Sequence, residues 1–338
     1  MRKQFRKLGA LIRRKTHFAS LELRDRKAGR QLRPVLQRNS GLPSGAIFLF
    51  ATLRNEQHRL EAFVRYYRKI GVDHFFFVNN GSTDGFEEWA AAQPDVSTWY
   101  TEASYRESAF GMLWLNDLLR RFGTGHWCVV VDPDEFLVYP YMETRSLKAL
   151  TSFLVEERRQ CMHTVTLDAY SRGPINEAVL ADGDDPFVIC PYFDRDGYIQ
   201  QASWGGSSWI RGGVRLRTQF GDDPAIAPAL NKIPLVRWQR HFHYRMSMHD
   251  MRPLHLNKAH QPGSVSTTGA LFHFKLVASL AEKAAEEEKR GEHYAGGREY
   301  AIYRDRQERI FFRDGISVAY SESAQLVELG LISPGKWF

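Results

Sequence analysis

Apolar residues along the first part of the chain switch between two rhythms, one typical of strands and the other of helices. The short apolar run Ala46–Leu53 predicts a buried strand, and His58–Ile70 carries its apolar residues on one helical face. Gly71 follows as a helix stop, and His74–Val78 predicts the next strand. A strand, a helix and a strand in close succession predict a βαβ unit with a parallel, right-handed crossover.

The same alternation repeats downstream. Val96–Tyr100 predicts a third strand, Glu107–Phe122 an amphipathic helix, and Trp127–Val131 a strand buried on both faces. A helix at Ser146–Arg158 and a strand at His163–Leu167 follow. The fold class predicted is therefore α/β, with a mixed, mostly parallel sheet flanked by helices.

The pattern changes after this point. From Tyr170 to Thr268 the sequence is rich in Gly, Pro, Trp and single charges, which favours antiparallel strands and loops. Leu271–Lys275 predicts a short strand, and Leu276–Arg290 and Tyr300–Arg313 predict helices.

Positive charge is concentrated at the N-terminus. Residues 1–40 hold 13 Lys or Arg against two acidic residues, a net charge of +11, so the rest of the chain carries −4 of the total of +7. A mildly acidic body argues against nucleic-acid binding.

No apolar run approaches the roughly 18–20 residues that span a bilayer. The basic start lacks a signal-peptide core, and three widely spaced cysteines suit a reducing compartment, so a cytoplasmic protein is expected.

These features predict a basic arm at residues 1–44 and one ordered domain at 45–338. Phe5, Leu8, Leu11 and Ile12 follow helical spacing among Arg and Lys residues. The arm is interpreted either as an amphipathic helix on an anionic membrane surface or as a solvated leader.

Two aspartates follow the strand at 127–131, in the sequence Asp132-Pro133-Asp134-Glu135-Phe136. In parallel sheets, ligands bind beyond the carboxyl ends of the strands. Asp132 and Asp134 can converge on one cation because Pro133 turns the backbone between them. Mg²⁺ or Mn²⁺ accepts such oxygen ligands and keeps positions open for a diphosphate. The alternative is that both aspartates only cap the following turn.

Together the motifs resemble the family 2 glycosyltransferases, in the bacterial branch that carries D-x-D-E-F and is similar to family 92. The resemblance rests on Thr52, Asn55 and Glu56, on Asn79–Gly85, and on the aspartate motif. It extends through three later segments, Gly212–Arg215, Lys232–Trp238 and Leu271–Lys275. It implies a GT-A type, Rossmann-like fold and inverting transfer from a nucleotide sugar, expected to be a UDP-sugar, to a glycan or lipid-linked acceptor in surface polysaccharide synthesis. It implies a nucleotide-sugar half at 45–140 and an acceptor half with C-terminal helices at 141–338.

The resemblance also implies roles for individual residues. The nucleotide sugar is expected to meet Thr52, Arg54, Asn55, Glu56, Asn80, Asp84 and Asp132. The third metal ligand is expected to be His273, and the alternative is a core histidine. The family often has Asp where this chain has Asn79, which leaves the base open.

Inverting transfer needs a carboxylate that takes the acceptor proton. Family spacing favours Asp222 or Asp223, while Asp168, Asp194, Asp196 and Asp250 remain open. Trp204, Trp209 and Trp238 are candidates for stacking on sugars. Three rivals also remain: a phosphatase with an aspartate nucleophile, a nucleotidyltransferase, and a sugar-nucleotide-binding module without catalysis.

Overall fold

The computed structural model describes residues 18–202, 208–221, 225, 227–260, 266–281, 283–285, 292 and 310–337. The strands are β1 Arg33–Leu36, β2 Ile47–Leu53, β3 His74–Asn79, β4 Val96–Tyr100, β5 Trp127–Val130, β6 Glu135–Val138, β7 Cys161–Asp168, β8 Tyr192–Asp194, β9 Tyr198–Ala202, β10 Ser208–Gly212, β11 Asn231–Arg237, β12 His243–Tyr244, β13 Met251–Arg252, β14 Thr268–His273 and β15 Ser317–Ala319. The helices are α1 at 18–29, α2 Gln57–Ile70, α3 Phe86–Ala91, α4 Met112–Leu118, α5 Leu147–Glu156, α6 Pro186–Ile189 and α7 Gly213–Thr218, and Ser323–Glu328 is helical near the C-terminus.

The central sheet has nine strands in the order β1-β4-β3-β2-β5-β11-β7-β14-β6. Neighbouring strands among β4, β3, β2 and β5 pair in parallel, as do β7 and β14. Strand β11 is antiparallel to both of its neighbours, β5 and β7. Strands β1 and β6 form antiparallel edges. The predicted class, an α/β fold with a mixed, mostly parallel sheet flanked by helices, is confirmed.

Helices cover both faces of this sheet. Helix α2 buries Leu60, Phe63, Val64 and Tyr67 against one face, and α5 joins the same apolar cluster. On the other face, α4 buries its side chains in a second cluster, which also takes Ala28 of α1. Burial of this apolar surface stabilises the sheet at roughly 25 cal/mol per Å².

Several predicted elements are confirmed with small shifts, since β2, β3, β4, β5, β7 and β14 lie where the pattern indicated. Gly71 ends α2 with a φ of 111°, a backbone conformation that glycine adopts without steric cost. The helix predicted at Glu107–Phe122 begins only at Met112, because the backbone at 109–111 turns into the left-handed region. A π-turn at Leu119–Gly123 continues it.

Residues 18–36, within the predicted arm at 1–44, contact the sheet and its helices. Residues 33–36 form β1, which pairs with β4, and Asp25 of α1 is fully buried against Arg120. The many basic residues of this segment gave no indication that it also contributes buried side chains to the core. The helix predicted at Tyr300–Arg313 lies mostly outside the described residues, and positions 310–313 are not helical.

Candidate active site at the carboxyl edge of the sheet

Strands β2, β3, β4 and β5 all end at one side of the sheet, here called the carboxyl edge. Strands β3 and β4 lie on one side of β2, whereas β5 lies on the other. The order in which the strands are added to the sheet therefore reverses between β2 and β5. The loops that follow these two strands leave a crevice between them, and ligands bind in such a crevice.

A cavity of about 420 Å³, the edge cavity, opens where β2, β3 and β4 end. It is lined by Arg54, Asn80, Gly81, Ser82, Thr83, Tyr100, Glu102, Ala103, Ser104 and Glu292. Two of the residues predicted to bind a nucleotide, Arg54 and Asn80, are in this lining. Its mixture of one aromatic ring with many polar groups can accept a flat heterocycle and its sugar.

The loops after β2 and β3 hold one another through Asn55. This residue has a φ of 52°, and its N–H donates to Ser82 Oγ at 3.1 Å. The N–H of Thr83 donates back to Asn55 Oδ1 at 2.8 Å. Arg54 Nη1 donates to the carbonyl oxygens of Asn80 and Gly81, each at 2.8 Å. Asn55 thus fixes the wall of the edge cavity without lining it.

The other residues predicted around the nucleotide mainly support these loops. Asp84 Oδ2 accepts from the N–H of Gln57 at 2.7 Å and so fixes the start of α2. Glu56 is buried and pairs with Arg59, with 3.0 Å between Oε2 and Nε. Thr52 Oγ1 is buried and has no hydrogen-bond partner within the described part of the chain.

The unexpected Asn79 has a local explanation. Its Nδ2 donates to Glu87 Oε1 at 2.6 Å, and its Oδ1 accepts from the N–H of Ser82 at 2.7 Å. The residue is fully buried. An aspartate here would place two carboxylates together, so the partner Glu87 accounts for the amide.

Asp132 lies at the end of β5 with its side chain 47% exposed. Lys232 Nζ of β11 donates to Asp132 Oδ2 at 3.2 Å and also contacts Glu135, which is buried. Burial raises the pKa of Glu135 although Lys232 opposes this effect. Burial would lower the pKa of Lys232, but Glu135 and Asp132 raise it, so the ammonium stays charged.

Asp134 lies near His273 and Arg59, and His273 connects it through Asp168 to Arg215. Its Oδ2 lies 3.4 Å from His273 Nε2 and 4.0 Å from Arg59 Nη1. His273 Nδ1 lies 2.7 Å from Asp168 Oδ1, and Arg215 Nε donates to Asp168 Oδ2 at 2.7 Å. The strand register produces this row, because His273 pairs with Asp168 across β14 and β7 and with Glu135 across β14 and β6.

The pKa values of Asp134, His273 and Asp168 in this row are shifted by neighbours of opposite charge. Burial alone would lower the pKa of His273, but Asp134 and Asp168 raise it to about 9. Burial would raise the pKa of Asp134, but His273 and then Arg59 hold it well below its usual range. Burial opposes ionisation of Asp168 too, and Arg215 and His273 lower its pKa.

Asp134 and His273 have some of the features of a binding site for a divalent cation. His273 has one ring nitrogen toward Asp134 and the other on a carboxylate, the arrangement that orients metal-binding histidines. Within the described residues, however, no group of three or more His, Cys, Asp or Glu side chains is arranged to hold a metal ion. Asp132 contacts Lys232 instead.

Four of the six candidate catalytic carboxylates lie in the described part of the chain, and three of these are paired with arginines. Asp168 pairs with Arg215, and Asp194 accepts from Arg217 at 2.7 and 2.8 Å. Asp250 Oδ2 accepts from an arginine of its own loop at 2.6 Å. Asp196 is exposed. Asp222 and Asp223, the favoured candidates, lie outside the described residues, as does Trp204.

Lys232 and Arg215 stand in segments that carry the family resemblance, but the sequence predicts no role in the site for them or for Arg59. The available signal for Lys232 was its place directly before the apolar run Ile233–Val236 of β11, because a buried lysine requires a partner of opposite charge. Trp238, considered for sugar stacking, is fully buried against Tyr244 and belongs to the core.

No known protein family and no curated protein matches the sequence. Among solved structures, a protein assigned as a glucose-1-phosphate thymidylyltransferase from Bacillus anthracis, in complex with a sucrose, is 10% identical, with a TM-score of 0.25 over 41% of this chain and 64% of that one. HddC from Yersinia pseudotuberculosis is 9% identical, with a TM-score of 0.24 over 41% of this chain and 70% of that one. This chain thus spans under two thirds of the thymidylyltransferase. Such low scores establish no shared activity.

The described helices are short or polar. In the described part of the chain, no helix is long and apolar enough to cross a membrane.

Proposed function

We propose that this chain is a glycosyltransferase of the GT-A type that moves a sugar from a nucleotide-sugar donor, a UDP-sugar, to a glycan or lipid-linked acceptor. One observation carries the proposal. The edge cavity and the row Asp134–His273–Asp168 lie at the same edge of the sheet, on the two sides of the point where strand order reverses.

The strand register brings these two parts together. Phe50 pairs with Val130 across β2 and β5, so Thr52 and Asp132 follow at the same level of neighbouring strands. A nucleoside in the edge cavity therefore has its diphosphate directed past Thr52 toward the aspartates. Arg54 and Lys232 supply positive charge along this path.

The ion proposed for this site is Mn²⁺ or Mg²⁺, held by Asp132, Asp134 and His273. When bound, such an ion neutralises the diphosphate that leaves the sugar. Asp168 keeps His273 oriented by accepting from Nδ1. The exposure of Asp132 leaves its carboxylate able to exchange Lys232 for another partner.

The test is calorimetric titration with UDP, GDP and CMP, with and without Mn²⁺. We expect micromolar binding of one nucleotide that depends on the metal. Asp134→Ala is expected to abolish the metal dependence without unfolding the protein, whereas Glu156→Gln, at an exposed carboxylate at the end of α5, leaves binding unchanged. Equal nucleotide affinity in Asp134→Ala and the unmodified protein would remove the metal assignment.

A transfer assay separates the proposal from its rivals. UDP-glucose, UDP-N-acetylglucosamine and GDP-mannose are incubated with the protein, and release of the nucleoside diphosphate is measured. Diphosphate release supports a glycosyltransferase. Pyrophosphate release from a nucleoside triphosphate and a sugar 1-phosphate points to a nucleotidyltransferase, and metal-dependent binding without turnover points to a binding module.

We also propose that the N-terminal region contacts an anionic membrane surface at the inner face of the cytoplasmic membrane. Residues 1–17 lie outside the described residues, but α1 continues the basic segment. It buries Asp25 and exposes Arg24, Arg26, Lys27 and Leu23, the last with 69% of its surface accessible. An outward face of basic groups with one apolar side chain suits an anionic lipid surface.

Flotation with vesicles of phosphatidylcholine and phosphatidylserine tests this contact. At about 1 kcal/mol per basic residue near the surface, Arg24→Ser with Lys27→Ser is expected to weaken binding roughly 30-fold. Lys69→Ser with Arg158→Ser removes the same charge from other exposed positions and serves as the control. Absence of binding by the unmodified protein at low salt refutes the membrane contact.

A further inference from the structure

The carboxyl edge continues beyond Lys232 into a small group of side chains that the donor site does not use. Asn231 precedes Lys232 in β11 and links two other segments to it. Its Oδ1 accepts from the N–H of Ile210 in β10 at 3.2 Å, and its Nδ2 donates to the carbonyl oxygen of His249 at 3.3 Å. Asn231 thereby fixes β10 and the loop at His249 at the start of β11, one residue before Lys232, whose Nζ contacts Asp132.

The imidazole of His249 has a defined tautomer here. Its Nδ1 lies 2.6 Å from the carbonyl oxygen of Asn231, and since a carbonyl oxygen only accepts, Nδ1 is the donor. In the neutral ring, Nε2 then carries the lone pair. Burial, and then Lys232, lower the pKa of His249 to about 4, with Arg215 acting in the same direction and Asp132 against it. The ring is therefore neutral near pH 7.

An aromatic side chain stands beside this imidazole. The ring of Trp209 lies 5.9 Å from that of His249, centroid to centroid, and both residues are partly exposed. An indole face packs well against the C–H face of a pyranose. A sugar on Trp209 would present its hydroxyl groups toward the His249 ring.

We propose that Trp209 and His249 form the acceptor subsite and that His249 Nε2 is the general base of the transfer. The inference rests on the proposed function. Three of the other candidate bases, Asp168, Asp194 and Asp250, are each paired with an arginine, whereas His249 donates through Nδ1 and so keeps the lone pair of its neutral ring on Nε2.

The proposed transfer forms one bond at C1 of the donor sugar and breaks another. The acceptor oxygen forms a bond to C1 of the donor sugar while the bond from C1 to the diphosphate oxygen breaks. The electron pair of the broken bond leaves with the nucleoside diphosphate. The acceptor proton moves to His249 Nε2, and the resulting imidazolium returns it to solvent after the products leave.

The experiment measures nucleoside diphosphate release from UDP-glucose with water or methyl glucoside as the acceptor. His249→Asn keeps a side-chain N–H for the Asn231 carbonyl oxygen but lacks the distal nitrogen. General base catalysis typically contributes about 10²–10⁴-fold, so release is expected to fall by that factor. His255→Asn, at an exposed histidine outside the site, is the matched control.

Chemical rescue separates a base from a structural residue. In His249→Ala, added imidazole at tens of millimolar is expected to restore part of the lost turnover, and UDP affinity measured by calorimetry is expected to stay within about twofold. Unchanged turnover in His249→Asn, or a loss in His249→Ala that imidazole does not restore, overturns the proposal. Because UDP binding is measured separately, failure of the base assignment is distinct from failure of the donor site.

Discussion

Replacement of Asp168 by asparagine should destabilise the whole fold. Asp168 is buried and accepts from two donors, Arg215 Nε and His273 Nδ1, each at 2.7 Å. Asparagine has the same shape but only one oxygen, so its NH₂ group must face one of the two donors. Arg215, itself buried, loses the charge that compensates it.

The magnitude follows from the burial of this pair. Removal of one partner from a buried ion pair costs about 3–5 kcal/mol. At roughly 2.1 cal/mol/K per residue, unfolding of the whole chain carries about 0.7 kcal/mol/K. The expected decrease in Tm is therefore about 4–7 °C, measurable by circular dichroism or scanning calorimetry.

A double-mutant cycle tests the reasoning behind this number. Arg215→Met alone leaves a buried carboxylate, and the double variant Asp168→Asn/Arg215→Met removes both charges. The double variant should be more stable than the sum of the single losses indicates, by about 0.5–3 kcal/mol. A Tm within about 1 °C of the unmodified protein for Asp168→Asn, or additivity in the cycle, refutes the interpretation of this row as a coupled network.

Two further substitutions test the walls of the site. Asn79→Asp places a second carboxylate beside Glu87 and should cost about 1–3 kcal/mol in urea unfolding, a loss that Glu87→Gln should largely reverse. Gly212→Ala should cost about 3 kcal/mol or more, because φ is 144° and the new Cβ would lie 2.1 Å from the carbonyl oxygen of Gly197. Gly183→Ala, with φ of 81° and open space, should cost only about 1–2 kcal/mol, and equal losses at the two glycines would contradict the predicted clash.

The sequence was sufficient for the parallel half of the sheet because each element there carries its own periodic signal. Strands β2, β3 and β5 are buried on both faces and are mainly apolar, and α2 between β2 and β3 carries its apolar residues on one face. The aspartates could be placed at the carboxyl edge for the same reason, since their position follows from the end of one strand.

Contacts between segments that are far apart in the sequence could not be predicted in this way. Strand β6 begins inside the aspartate motif and, among the described strands, pairs with β14, which is far away in the sequence. Lys232 meets Asp132 because β11 enters between β5 and β7, an arrangement that no local pattern encodes. The basic residues of helix α1 predict an arm, because no local pattern distinguishes the buried Asp25 and Ala28 from the exposed residues around them.

Strand β11 is synthesised about 100 residues after β5, the strand beside which it lies, and this order affects folding during translation. During translation β5 is complete at Val130, yet its second neighbour begins only at Asn231. Until then the nascent sheet presents an open strand edge, which is prone to pairing with other chains. The two sides of the candidate site can meet only after β11 has closed that edge. Ribosome-bound chains that end before β11 should therefore recruit chaperones, and the row Asp134–His273–Asp168 can form only later, once β14 has been synthesised.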